Sequence, residues 1–163
     1  MNKALLATLA ATTLLSGCNQ GPPTPDKTIQ QMMAEDVQPT AEVYWNAVGH
    51  VSELIDGEVV ERDFRPETEE DWQRIRAAAT EMVELANLLT TPAYTEGRGD
   101  DWVQFSISLA EVARLAEQAA DSRDPEQVFE VGGTMYSVCS ACHQVYPPEE
   151  GLPDDAPIGA PPA

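Results

Sequence analysis

At 163 residues and 42% hydrophobic side chains, the chain can bury a single core once its ends are set aside. Nine Lys and Arg stand against 28 Asp and Glu, a formal net charge of −19. That balance argues strongly against nucleic-acid binding, because no basic patch is available to neutralise phosphates, and against adhesion to anionic headgroups. An acidic surface of this kind serves solubility, or meets a cationic partner whose encounter it accelerates.

Residues 1–17 read as a signal peptide: Lys3 supplies a positive start, Ala4 to Leu15 an apolar run, and Ser16-Gly17 a small pair. The run is shorter than the roughly 20 residues needed to span a bilayer. It leads into Leu15-Ser16-Gly17-Cys18, which resembles the lipobox of bacterial lipoproteins. The resemblance implies cleavage before Cys18 and lipidation of its thiol, and several acyl chains would hold the mature chain stably at a membrane. An ordinary secretory signal with a bystander cysteine is the competing reading. Cleavage there leaves 8 basic against 28 acidic side chains, about −20. Asn19, rather than aspartate, follows the anchor and points toward the outer membrane. Residues 18–26 are then a polar, proline-rich tether, and residues 147–163 an acidic, proline-rich tail expected to be disordered.

Between them, residues 27–146 carry four stripes at helical spacing and no sustained alternation of the strand kind. The first stripe is Met33, Val37, Ala41, Tyr44, Val48, Val51 and Ile55, ending at Gly57, with Pro39 marking a kink or the true helix start. The second, Trp72, Ile75, Ala79, Met82, Ala86 and Leu89, follows the acidic run Glu67 to Asp71 and stops near Pro92. The third, Trp102, Phe105, Leu109, Val112, Ala116 and Ala119, starts behind an Asp100 or Asp101 cap. The fourth opens with Asp124 as N-cap and Pro125 as first helical residue. It shows Val128, Val131, Met135, Val138 and Cys142 on one face and ends at Pro147-Pro148. Short connections between four such helices predict an all-α, antiparallel four-helix bundle.

Three cysteines are present, and with Cys18 assigned to the anchor no disulfide framework can form. The other two sit in Cys139-Ser140-Ala141-Cys142-His143, the pattern for covalent attachment of a c-type haem. Positions i and i+3 share a helix face, so both thiols can reach the two vinyl groups while His143 reaches the iron as axial ligand. A structural zinc site would want about four protein ligands, and the only other histidine is the isolated His50. A redox dithiol usually accompanies a βαβ pattern, which is missing here.

A haem motif closing the last of four helices resembles the class II cytochromes c, the cytochrome c′ family and its low-spin relatives. The stretch Phe129 to Tyr146 carries that resemblance, and outside it the likeness is helix pattern alone. The resemblance implies one haem c per chain, His143 as proximal ligand, a partly exposed haem edge, and electron transfer or binding of small gases at the iron. In an antiparallel bundle the fourth helix ends where the first begins, and low-spin members take a methionine from the first helix. Met33, with Met32 as alternative, is therefore the candidate sixth ligand. The competing reading is that either simply packs the core, as methionine often does. His50 lies far along the first helix and is read as a surface or core residue. Trp45, Trp72, Trp102, Phe105 and Tyr136 are candidate lining residues that also suit a plain core.

The function expected is that of a periplasmic, lipid-anchored electron carrier meeting a redox partner, for which a cationic docking face would suit the acidic surface. A five-coordinate haem that binds nitric oxide or carbon monoxide is the alternative. No base, nucleophile or acid constellation marks an enzyme. Pairing of two copies through exposed helix faces stays open.

Overall fold

Thr28 starts the first helix with a capping box. Its hydroxyl accepts from the Gln31 amide at 3.2 Å, and the Gln31 side chain accepts from the Thr28 amide at 3.0 Å. The computed structural model describes residues 26–148; the signal peptide, Cys18 with its tether up to residue 25, and the tail beyond residue 148 lie outside the described residues. From the Thr28 cap, α1 (Ile29–Met32) runs through a π-helical turn (Met33–Val37) into α2 (Gln38–Trp45). Pro39 accounts for the wide turn. Proline has no amide hydrogen and its ring clashes with the carbonyl four residues back. Letting Gln38 donate to the carbonyl of Met33, five residues back, opens that turn and allows the helix to continue.

The extra residue in the turn shifts the inward face. Val37, Ala41 and Tyr44 are buried as their spacing predicts, but the next inward position upstream is Met32, 1% exposed and five residues before Val37. Met33, expected on that stripe, is only half-buried against the core.

The first stripe does not extend to Gly57. Helix α2 ends at Trp45, and Gly49–Ile55 (β1) pairs antiparallel with Glu58–Phe64 (β2). The turn between them is Asp56-Gly57, with φ of 52° and 88°. Positive φ at both central positions is the hairpin geometry for which Asp-Gly is strongly preferred. Val51 and Ile55 therefore sit on a strand rather than a helical stripe, and His50 is an exposed β1 residue bonded to Asp63 at 2.7 Å. The expected all-α class is corrected accordingly: the chain is mostly helical, with a small two-stranded sheet.

The remaining helices follow their sequence signals closely. Thr68 caps α3 (Glu69–Leu89) in a second capping box with Asp71. A short α4 (Pro92–Thr95) leads to α5 (Asp100–Ser122), whose cap position is Gly99 rather than either aspartate. Arg123, in the left-handed region at φ 54°, ends α5 and hands the chain to α6 (Pro125–Val145).

Side-chain pairs show the directions of these helices. Arg76 with Asp121 (2.6 Å) and Thr80 with Glu117 (2.6 Å) run α3 and α5 antiparallel. Tyr146, just past α6, bonds Asp101 at the start of α5, so α5 and α6 are antiparallel as well. The core between them is built from small residues: Ala79, Ala86, Ala113 and Ala116 are fully buried and let the helices approach closely, with Met82, Ile75, Val128 and Met135 filling the spaces.

Candidate functional site

Asp124 begins α6 as expected: its carboxylate accepts from the amides of Glu126 (3.0 Å) and Gln127 (3.3 Å), and Pro125 occupies the first turn. Two turns in, Gly132 is buried against α2. A side chain there would come within 3.3 Å of the Trp45 ring, and the Trp45 indole donates to the Gly132 carbonyl at 3.0 Å. Trp45 also meets Tyr136 edge-on, 5.9 Å between ring centres.

The second half of α6 carries the motif. Met135 is fully buried, Cys139 lies one turn further on and packs against the core, and Cys142 follows at i+3. His143, in the last turn, is exposed. Both thiols are unpaired and half-buried. Burial, reinforced by Cys142, pushes the Cys139 thiol up to about 11. Burial, then the Asp101 carboxylate, raises Cys142 too. Both are therefore neutral thiols near pH 7, the reverse of the depressed value that marks a reactive cysteine. Among the described residues no group of three or more His, Cys, Asp and Glu side chains is placed to hold a metal ion.

Around the end of α6 stands a polar and aromatic cluster that the sequence reading missed. The Tyr146 amide donates to the Cys142 carbonyl at 2.8 Å, closing the helix. The Tyr146 hydroxyl donates to the Asp101 carboxylate at 2.6 Å and accepts from the Gly99 amide at 3.3 Å. Its ring meets Trp102 edge-on at 5.1 Å, and the Arg98 guanidinium lies 4.5 Å over the other aromatic ring. Tyr146 follows Cys142 at i+4, a spacing visible in the chain, but Asp101 and Arg98 come from the start of α5 and could be found only through the fold.

The same end of the molecule gathers the beginning of the first helix. Tyr94 donates to the Lys27 carbonyl at 3.1 Å, and the Trp102 indole donates to the Leu89 carbonyl at 2.9 Å. Lys27, the end of α3, α4, the start of α5 and the end of α6 thus meet together, and Met32 and Met33 lie little more than a turn from Lys27. Of the other candidate lining residues, Trp102 belongs to this end, Trp45 and Tyr136 sit about two turns up α6, and Trp72 lies in the first turn of α3, toward the opposite end. Phe105 is half-buried along α5.

In comparison with known proteins, the chain matches no family model, no curated protein and no solved structure.

Proposed function

We propose that this protein is a monohaem c-type cytochrome acting in electron transfer, with a four-helix core of the class II kind to which a hairpin has been added. The observation that carries the reading is the placement of Cys139, Cys142 and His143 on the last two turns of α6. Two unpaired, half-buried thiols at i and i+3 on one helix face, with a histidine directly after them, suit thioether attachment of a haem beside an axial ligand. The exposed His143 ring is free to turn toward a bound iron. A c-type haem held there supplies one-electron chemistry at the iron.

The chain's own residues do the rest. Cys139 and Cys142 would hold the haem covalently, His143 would bind iron, and Tyr146 with Asp101 would stiffen the helix end that carries all three. Met32, buried at the same end, is favoured over Met33 as sixth ligand because the π-helical turn points it inward. Export and lipidation of Cys18 would place the protein in the periplasm at a membrane surface, the outer membrane favoured by Asn19, where a cationic redox partner would meet its acidic surface.

Optical and resonance Raman spectra of the matured protein test this, recorded ferric and ferrous, with and without carbon monoxide or nitric oxide, and repeated on Met32→Ala and Met33→Ala. A six-coordinate low-spin spectrum lost in Met32→Ala supports methionine ligation and electron transfer. A five-coordinate ferrous spectrum that responds to gas transfers the proposal to gas binding. Protein that carries no covalent haem after co-expression with haem-attachment machinery would refute the reading.

A further inference from the structure

The Gly49–Phe64 hairpin is unlike the rest of the molecule. A two-stranded ribbon is at best marginally stable alone in water and normally leans on a third strand or a helix. Here the two strands pair over seven positions, yet only Val51 and Val60 of their large apolar side chains are even half-buried. On one face Leu54 stands directly across from Val59, and they are 74% and 65% exposed. On the other face Ile55 and Phe64 are exposed as well. Apolar side chains concentrated on a projecting element mark an interaction site.

Its charge narrows the choice of what covers it. The ribbon carries Glu53, Asp56, Glu58, Glu61 and Asp63. Its one arginine, Arg62, is consumed across the strands by Glu53 at 2.5 Å, and His50 is held by Asp63. A second copy would set acid against acid in a chain of net charge −19, and an anionic membrane would be repelled in the same way. Glu61 and Asp63 share the face of Leu54 and Val59, with Asp56 in the adjoining turn, so the surface complementary to it is apolar at its centre and basic at its edge.

The ribbon's place in the fold is equally specific. Its base joins the end of α2 to the Thr68 cap of α3, and Glu69 pairs with Arg123 where α5 gives way to α6. This is the end of the molecule opposite the Cys139–His143 motif.

We propose that the hairpin is a docking arm for another protein, one presenting an apolar patch rimmed by Lys and Arg, and that it holds that protein while leaving the motif end of the chain free. The proposal is independent of the haem reading, since it rests on exposure, charge and placement of the hairpin alone.

The test places a photo-crosslinking amino acid at Leu54 in the full chain, in the cells that make it, with the same group at exposed Leu115 on α5 as control. A protein captured at Leu54 and not at Leu115 is then purified and titrated against the full-length chain. Support requires that its affinity fall as ionic strength rises from about 0.05 to 0.3 M. It also requires that the double variant Leu54→Asp/Val59→Asp bind at least about tenfold more weakly, with unchanged melting temperature and motif-end spectra. Capture of a second copy or of lipid, equal capture at both positions, or an affinity indifferent to salt or to the variant would overturn it.

Discussion

Met32 and Met33 show how much one residue's position depends on backbone detail. Spacing from Val37 by an ordinary helical turn selects Met33, but the wide turn forced by Pro39 selects Met32, which is 1% exposed. Met32→Ala should cost about 2–5 kcal/mol, as removal of a buried methionine usually does, and Met33→Ala clearly less, measured by denaturant unfolding. Equal losses would mean the turn does not persist in solution. Tyr44 offers a second residue-scale case. Its ring is buried and its hydroxyl has no hydrogen-bond partner, and burial raises its pKa. Since a buried polar atom without a partner opposes folding, Tyr44→Phe should leave stability unchanged or raise it by about 1 kcal/mol. A loss of that size would show that an ordered water satisfies the hydroxyl.

Elements follow their terminal signals where those signals are local. Asp124-Pro125 opens α6 and Thr68 opens α3 as such residues should, whereas the Asp100 and Asp101 pair serves as first-turn acids behind Gly99. Within α6 the two adjacent glycines differ. Gly133 faces open space, so Gly133→Ala should stabilise by roughly 0.5–1 kcal/mol through helix propensity alone. Gly132 abuts Trp45 and Tyr44, and Gly132→Leu should cost about 1–3 kcal/mol by forcing α2 off α6. Thermal melts of both variants, read side by side, separate the two effects. The hairpin was the element the sequence reading lost. Asp56-Gly57 between Val- and Ile-containing runs is a hairpin signal, but Gly57 also ends helices, and the spacing of Val48, Val51 and Ile55 imitates a helical stripe.

Across the whole molecule, charge dominates. Twenty-eight acids against nine bases repel one another in the folded state more than in the expanded chain, so added salt should raise the melting temperature by screening. Acid has an opposing local effect at the start of α3. The Thr68 hydroxyl, the amides of Thr68 and Glu67, and Arg74 hold the Asp71 carboxylate down to about 2. A carboxylate depressed in the folded state contributes stability above its unfolded pKa near 4, and that contribution is lost as pH falls from about 4 toward 2. Melting curves of Asp71→Asn should therefore lose part of the wild-type decline over that window. An unchanged decline would assign acid sensitivity to other groups.

Read alone, the amino-acid sequence determined three of the four long helical segments, the cap of α6, and the motif Cys139 to His143, because each depends on spacings of three or four residues along one helix. It also placed the motif at the end where the first helix begins, since antiparallel connection follows from short loops. Only the tertiary structure decided which methionine turns inward, that Tyr146 is held by Asp101 and shadowed by Arg98 and Trp102, and that the chain after Trp45 leaves the helical core as an exposed ribbon. Those outcomes depend on how a proline-widened turn rotates a helix face and on side chains brought together from 44 or more positions apart, neither of which a local pattern encodes.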